Sequence, residues 1–273
     1  MIVNNLIETL VHNRHCDRRA LGSGNNGARP QFAFPSRISA GFRDTLVRFT
    51  VKKQTDVQLQ PLVDGITYDI ILGRLKPRER LIEDQLCERF GASRHQVRAS
   101  FAALEQMGLV ERRPNKGAMV RDFSVQEVEE VYEMRALLQE EAASRVPMPA
   151  GDSLIKRLEA INAEHGKAVD RGDLEQVCML NNDFHREIYR ACDNQCLADM
   201  IERLWIQTLG MRCYAIGDPQ LLKRSRKEHA EMIDHLRKGN REAFVRLCVE
   251  HIWPSLEAYK RAHGGWSIMR KAV

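Results

Sequence analysis

The sequence predicts a mainly α-helical protein, in which a short helical segment with a small β-hairpin is followed by an all-α helical bundle. Two observations predict this fold class. Residues 81–120 have the spacing of two short helices and then two short strands, and nearly everything after Val120 places apolar residues at helical intervals. At 273 residues the chain is long enough for two such domains, each with its own core.

The first half of residues 81–120 has the pattern of two helices joined by a tight turn. Leu86 and Phe90 lie one helical turn apart, and Gly91 supplies the turn between the helices. Ser93 stands where the second helix needs an N-cap, and Gln96 three residues later completes a capping box. These residues predict a helix-turn-helix.

The second of these helices has two different faces. Val97, Phe101 and Leu104 form its apolar face. Its polar side carries hydrogen-bond donors close to the helix start, in Arg94, His95, Gln96 and Arg98. A helix with this division presents donors to base edges and phosphates when it enters the major groove of DNA. We therefore expect those four side chains to contact DNA.

A basic hairpin follows the second helix. Leu109–Val110 and Ala118–Val120 have the pattern of two strands, and the loop between them contains three positive charges. Lys116 and Gly117 at its far end are placed to reach a neighbouring minor groove or the phosphate backbone. Although a helix-turn-helix pattern alone is a common false positive, the capping box, the arginine face and this basic wing together predict an N-terminal winged helix-turn-helix.

The order of these parts resembles the winged helix of the GntR family of bacterial transcription regulators. The matching residues are Leu81, Leu86, Phe90-Gly91, Ser93-Arg94, Val97-Arg98, Leu104, Gly108-Leu109-Val110 and Asn115-Lys116-Gly117. The resemblance implies that Arg94 and Arg98 contact DNA, together with Lys116 and Gly117 from the wing. The departures are Arg78 in place of the usual Gly, His95-Gln96 in place of Thr-Pro and Ala99 in place of Glu. They leave the fold intact but indicate an unusual operator sequence.

After Val120 the pattern is helical almost throughout and is divided by short turns, which predicts about six or seven helices in an all-α bundle. Asn181 and His185 are four residues apart and share an apolar helix face. His229 and His251 lie on apolar faces on either side of a turn at Gly239-Asn240, so antiparallel packing would place them opposite each other. A single inward His is more often a hydrogen-bonded core residue than a ligand. Three at compatible spacing favour a site for Zn²⁺, Ni²⁺ or a similar cation.

The bundle resembles the FCD effector domain of the FadR subfamily. The resemblance is carried by residues 133–139 with Ala142-Ala143, then by Phe184-His185, Asn194, Glu228-His229 and His251-Ile252. In that family an Asp and three His bind a divalent metal, and an organic acid often binds beside it. The resemblance therefore implies His185, His229 and His251 as metal ligands. Asn181 occupies the Asp position, and a neutral amide is a weaker ligand that raises the net charge of the site by one.

Two arginines of the predicted bundle are candidates for holding the carboxylate of an effector. A guanidinium can bind a carboxylate through two parallel hydrogen bonds. For Arg135 this role and an ordinary inter-helix ion pair are equally compatible with the sequence, whereas for Arg212 the ion pair is favoured. We therefore predict Arg135 alone as an effector contact.

Composition limits the compartment and the class of protein. The formal charge of +5 allows a nucleic-acid partner without requiring one. The seven Cys are odd in number and scattered without a CxxC pair, which favours reduced thiols. No apolar run is long enough for a membrane span, and the N-terminus lacks the features of a signal peptide. We therefore expect a cytoplasmic protein without a membrane partner.

The predicted domains are a disordered extension (1–58), the winged helix-turn-helix (59–122), the effector, metal-binding and dimerisation bundle (123–262) and a tail (263–273). The extension has two open interpretations. It is either a genuine basic arm or an artefact of the assigned start, with translation beginning at Val51 or Val57, because no Met lies between Met1 and Met107. Mass spectrometry of the native N-terminus separates the two.

We therefore expect a homodimeric transcription regulator that binds a palindromic operator in double-stranded DNA, more specifically a repressor controlled by a small organic acid and a divalent metal. A helical metal-dependent hydrolase with an accessory nucleic-acid-binding domain is the alternative. We expect no enzyme, because no Asp or Glu stands evidently beside the three His as a general base and a hydrolase leaves the winged helix unexplained. A purely architectural DNA-binding protein with a structural His cluster is a third possibility.

Overall fold

The structure, a computed structural model, describes residues 59–113 and 117–270, with only the backbone described at position 213 and at 264–270. The predicted extension 1–58 and the wing residue Lys116 lie outside the described residues. The first part contains α1 (Leu59–Ile71), β1 (Arg80–Leu81), α2 (Glu83–Phe90), α3 (Arg94–Gln106), β2 (Val110–Arg113) and β3 (Gly117–Val120). The second part contains α4 (Val125–Arg145), α5 (Asp152–Arg171), α6 (Leu174–Arg190), α7 (Gln195–Gln207), α8 (Leu209–Ile216), α9 (Pro219–Lys238), α10 (Arg241–Glu250) and α11 (Trp253–Arg270).

Helices α2 and α3 form the predicted helix-turn-helix. Gly91 ends α2 with φ 62°, a conformation that favours glycine because it has no Cβ. The predicted capping box of α3 is present: Ser93 Oγ accepts from the backbone N–H of Gln96 (3.3 Å), and Gln96 Oε1 accepts from the backbone N–H of Ser93 (2.8 Å). Helix α3 buries Val97 and Leu104 against α1 and so fixes its own orientation.

The hairpin is part of a three-stranded antiparallel sheet with the order β1-β3-β2. Val110 pairs with Val120 and Arg113 with Gly117, so β2 extends further into the basic segment than the sequence predicted. Strand β1 was not predicted from the sequence, because its two residues are too few to show alternation. It is defined by pairing, with Leu81 opposite Ala118.

Helix α1 precedes the helix-turn-helix and spans Leu59–Ile71. Pro61 falls in its first turn, where a missing N–H does not cost a helical hydrogen bond. Gly73, with φ 66°, follows the observed end. Helix α2 also packs closely on α1: a Cβ on Gly65 would lie 2.4 Å from Phe90 Cε1, so this crossing requires glycine.

The bundle has eight helices in the part of the chain that the structure describes, rather than the predicted six or seven. Thr208 separates α7 from α8, and its hydroxyl donates to the carbonyls of Leu204 and Trp205, in competition with the regular backbone pattern. Pro254, which has no N–H, stands at the start of α11 and separates it from α10. Neither break has a glycine between the two helices, so no turn residue marks it in the sequence. Helix α11 continues to Arg270, so the backbone is helical through most of the predicted tail.

The core of the bundle consists of two apolar clusters. The larger one contains Phe184, Trp205 and Phe244, and the smaller one contains Tyr132, Met211 and Leu256. No helix in the described residues is long and apolar enough to cross a membrane.

Helix α8 connects the bundle with the winged helix. A Cβ on Gly210 would lie 3.4 Å from Ile70 Cγ2, which shows that α8 packs directly on α1. Helix α1 is therefore covered on both sides, by α3 and by α8, and even its polar residues Asp64, Thr67 and Asp69 are buried. A displacement of α8 would be transmitted to α1 without an intervening loop.

Candidate metal centre and nucleic-acid interface

Three histidines of the bundle converge on one point. His185 lies on α6, His229 on α9 and His251 at the C-cap of α10, and one nitrogen of each lies within 4.8 Å of the others. The Nε2 atoms of His185 and His229 are 3.3 Å apart. Two nitrogens bound to a tetrahedral Zn²⁺ at about 2.0–2.1 Å would be separated by roughly the same distance. The donor set and its spacing therefore fit a divalent cation.

The predicted fourth ligand, Asn181, lies one helical turn before His185 on α6 and lines the same cavity. An amide oxygen binds a cation more weakly than a carboxylate does, because it carries no charge. The structure thus places Asn181 beside the three His, and its role as a ligand remains a prediction.

Glu228, one residue before His229, orients the third histidine. Its Oε2 lies 2.6 Å from His251 Nδ1, and its Oε1 accepts from Arg224. Burial raises the pKa of Glu228, but the hydrogen bonds from His251 and Arg224 outweigh burial and hold the pKa below its ordinary value. The carboxylate is thus ionised and can only accept, so His251 donates from Nδ1, and Nε2 is the ring nitrogen left for a metal.

The sequence indicated no Asp or Glu beside the three His as an evident general base, and the structure brings the carboxylate of Glu228 to His251. Its distance from the histidines depends on how α9 packs against α10, which the sequence does not show. Both oxygens of Glu228 are held by other side chains. It is therefore placed to orient His251 rather than to accept a proton from water.

Burial also keeps the remaining imidazoles neutral. The pKa of His185 and that of His229 lie well below the ordinary value, first because of burial and then because of neighbouring cationic or titratable groups. A neutral imidazole has the lone pair that a metal ligand needs. The Nδ1 atom of His229 has no hydrogen-bond partner among the described residues.

His185 and His251 line a cavity of about 90 Å³. Arg135, the predicted effector contact on α4, lines the same cavity and is only 4% exposed. Its guanidinium lies 4.6 Å from the centre of the Tyr132 ring, and Nε and Nη1 find no acceptor within the described part of the chain. A buried cation with unpaired donors is costly unless a ligand supplies the acceptors.

Sequence reasoning missed three further residues of the cavity wall. Arg212 on α8 was assigned to an ion pair, but it lines the cavity at 8% exposure, and among the described residues no carboxylate pairs with it. Gln139 on α4 directs an unpaired Nε2 into the same region, and His165 on α5 has an unpaired Nδ1, each judged against the residues described. These positions follow from the packing of separate helices, and no spacing along the chain indicates them.

The predicted DNA-contacting residues of α3 lie on the exposed side of the helix, except that Gln96 is half-buried and occupied by the capping box. Arg98 donates to both oxygens of Glu83 at 3.0 Å, and Arg94 lies 2.9 Å from Asp84. Both carboxylates belong to α2. Because exposed ion pairs contribute little, phosphates or base edges can replace these partners at small cost.

Gly117 of the predicted wing begins β3 with φ 76° and is exposed, and apart from its chain neighbours no residue in the described part of the chain lies within 4 Å of the position of its Cβ. The backbone there is open to a close approach by a partner. The structure thus exposes Arg94, His95, Arg98 and Gly117 on the winged helix, and their contact with DNA remains a prediction.

Two family models match the chain in the same order as its two parts. The model described as bacterial regulatory proteins, gntR family, matches residues 60–120, and the model of the FCD domain matches residues 130–253. The first match covers α1 to β3, and the second covers the three histidines and Arg135.

Two curated relatives are regulators. An HTH-type transcriptional regulator of Agrobacterium vitis, from the TAR-I ttuE-ttuC' intergenic region, is 30% identical over 122 residues, which are 44% of this chain and 71% of that protein. The HTH-type transcriptional repressor RspR of Escherichia coli K12 is 26% identical over 196 residues, which are 71% of this chain and 85% of that protein.

A solved structure supports the fold. The structure of McbR/YncC from E. coli superposes with a TM-score of 0.67 at 20% identity and covers 77% of this chain and 100% of that one. The mainly helical architecture with a small antiparallel sheet, predicted from the sequence, is confirmed.

Proposed function

Because the chain belongs to the GntR family of bacterial regulatory proteins and carries an FCD domain, we propose that this transcription regulator is a repressor whose operator affinity is set by a small acid bound beside a metal. Family membership makes it a DNA-binding regulator rather than an enzyme. The further elements of the proposal are the DNA contacts, the dimer, the metal and the effector.

On the DNA side, the proposal is a homodimer that places two copies of α3 in successive major grooves of a palindromic operator. Arg94 and Arg98 contact base edges or phosphates, and His95 and Gln96 contact DNA beside them. Lys116 and Gly117 of the wing contact the neighbouring minor groove or the phosphate backbone. Support comes from the exposure of both arginines and from their exchangeable pairs with carboxylates of α2.

On the metal side, His185, His229 and His251 hold Zn²⁺ or Ni²⁺, with Asn181 as a weaker fourth ligand. The nitrogen-rich donor set suits these ions better than the oxygen-preferring Mg²⁺ or Ca²⁺. When bound, such a cation supplies positive charge and a coordination position for an anionic ligand. The chain itself orients the site through the hydrogen bond between Glu228 and His251.

The observation that carries the effector proposal is the buried guanidinium of Arg135 in the wall of the metal cavity, whose Nε and Nη1 atoms have no acceptor among the described residues. A carboxylate is the natural partner for a guanidinium, because two parallel hydrogen bonds satisfy both. The cavity of about 90 Å³ is smaller than the ~150 Å³ cavity that accommodates benzene. We therefore propose a short organic acid rather than a long acyl chain.

Helix α8 is the proposed connection between effector binding and DNA binding. It contributes Arg212 to the cavity and packs through Gly210 on Ile70 of α1. An acid that draws Arg212 toward itself changes the position of α8 and hence the placement of the winged helix. Such control requires that the acid bind the two domain arrangements with different affinity.

The test begins with selection of duplexes from a random oligonucleotide pool by the purified full chain. The proposal expects enrichment of a palindrome with half-sites about one helical turn apart. Enrichment of a single, non-repeated site contradicts the dimer, and no enrichment contradicts sequence-specific binding.

The metal is tested by thermal unfolding of chelator-treated protein with added Zn²⁺ or Ni²⁺. The proposal expects a rise in Tm for the original chain and for His95→Ala, whose altered residue is exposed on α3. We expect the rise to be lost in His229→Ala, while this variant still binds the selected palindrome. An equal rise in the His229→Ala variant contradicts the metal site, and turnover of a bound acid would indicate an enzyme instead of a sensor.

A further inference from the structure

From the charges that line the cavity we infer that the effector is a short diacid, with one carboxylate at the three histidines and the other at Arg135 and Arg212. The inference rests on the proposed effector site and specifies the class of acid that the site takes. It goes beyond a single carboxylate held by a single arginine.

The charged side chains that line the cavity do not balance each other. Three arginines and one glutamate line the cavity among the described residues. Arg224 and Glu228 neutralise each other through their ion pair. Arg135 and Arg212 therefore remain as two uncompensated guanidinium groups, both less than a tenth exposed.

The guanidinium groups of Arg135 and Arg212 influence each other. Burial lowers the pKa of Arg135, and the neighbouring charge of Arg212 lowers it further, so the two guanidinium groups lie close enough to repel each other. Like charges brought together away from water destabilise the protein unless an anion is placed between them or beside them. Together with the Nε and Nη1 atoms of Arg135, the Nε2 atom of Gln139 is a donor that has no hydrogen-bond partner among the described residues.

The cavity has two electropositive points. The arginine pair is one. The other is the group of three histidines, which fits a divalent cation and of which His185 and His251 line the cavity. Asn181 supplies no negative charge at the metal, where a carboxylate would have neutralised one of the two positive charges. A monocarboxylate can satisfy only one point, whereas a diacid can satisfy both.

The size of the cavity limits the length of the acid. The cavity of about 90 Å³ opens past Arg224, whose side chain is half exposed. This space favours acids with a short connection between the carboxylates. Malonate and succinate are therefore suitable probes, and propionate and butyrate are their monoacid counterparts with the same number of carbon atoms.

The experiment measures binding of these four acids to the zinc-loaded full chain by calorimetry and by the shift in Tm. We expect each diacid to bind at least tenfold more tightly than its monoacid counterpart. Equal affinities within both pairs would overturn the inference but leave the proposed acid-binding site in place. Absence of binding by all four acids would overturn both.

Substitution of the arginines provides an independent readout. Arg135→Met removes an unpaired buried charge, so we expect the ligand-free Tm to rise and the diacid preference to disappear. Arg212→Lys keeps the charge but loses the bidentate geometry, and we expect it to reduce diacid affinity at least fivefold. Arg157→Met, an exposed position on α5, is the control. A lower ligand-free Tm together with an unchanged diacid preference in Arg135→Met would show a structural arginine and overturn the inference.

Discussion

The Nδ1 atom of His251 lies 2.6 Å from the Oε2 atom of Glu228, and this single contact determines which nitrogen of the ring can bind a metal. The carboxylate, held from its other side by Arg224, accepts a hydrogen bond from Nδ1 and leaves Nε2 as the ring nitrogen for a metal. A carboxylate that orients a ligating histidine also raises its basicity, so it strengthens metal binding without touching the metal.

Glu228→Gln is expected to weaken zinc affinity by about tenfold to a hundredfold, because an amide cannot orient His251 as strongly as a carboxylate. Competition with a chromogenic chelator measures the affinity. Glu231→Gln, which alters a carboxylate paired with Lys227 on the same helix, is the matched control and should bind zinc like the original chain. Equal affinities for both variants would show that Glu228 has no part in the site.

Arg98→Ala is expected to weaken binding to the selected palindrome by roughly tenfold to a hundredfold and to relax the base preference at one position in each half-site. The reason is that Arg98 is exposed on α3 and its partner Glu83 is exchangeable. Fluorescence anisotropy on the palindrome and on single-base variants measures both effects, with Arg157→Ala as the control. A uniform loss across all sequences would assign Arg98 to the phosphate backbone instead.

The metal-free protein is expected to lose stability as the pH falls from about 6.5 toward about 4. Burial first, and then the neighbouring His251 and Arg226, lower the pKa of His165 from 6.5 to about 4. Between these values the unfolded chain binds more protons than the folded one, so acid favours unfolding. At pH 5 this histidine should cost about 1 to 2 kcal/mol of the free energy of unfolding relative to pH 7.5.

Urea unfolding of metal-free protein at both pH values measures this cost. His165→Asn should reduce the difference between the two pH values, whereas His95→Asn, at an exposed position, should not. If the His165→Asn variant kept the full difference, His165 would not be the source of the acid sensitivity.

Gly210→Leu is expected to uncouple the bundle from the winged helix. A Cβ at this position is in ordinary contact with Ile70 at 3.4 Å, so an alanine fits, whereas the branched end of leucine must push α8 away from α1. Diacid binding by Gly210→Leu should stay within threefold of the original chain, while the diacid should no longer change operator affinity. Gly210→Ala should retain the response. A full response in Gly210→Leu would exclude this contact as the connection.

The sequence predicted the features that depend on short spacings. The predicted capping box at Ser93 is present, because such a box needs only two residues three positions apart. The convergence of His229 and His251 followed from a turn midway between them. In each case the local rule and the tertiary fold agree.

The features that the sequence did not predict depend on contacts between distant helices. The exposure of Arg212 to the cavity rather than to an ion-pair partner depends on where α8 lies after the break at Thr208. At that break no glycine is present, and the Thr208 hydroxyl donates to the carbonyls of Leu204 and Trp205. Likewise, the place of His165 in the cavity wall depends on how α5 packs beside α9. No pattern of spacing along one helix contains this information.

We propose that an acid in the metal cavity changes the affinity of the protein for its operator. The most direct test is fluorescence anisotropy of the selected palindrome with the zinc-loaded protein, titrated in the absence and in the presence of saturating succinate. A repressor released by its effector predicts that succinate raises the Kd for the palindrome at least tenfold, and that Arg135→Met abolishes the change. An unchanged Kd, with calorimetry showing that succinate is bound, would contradict the claim.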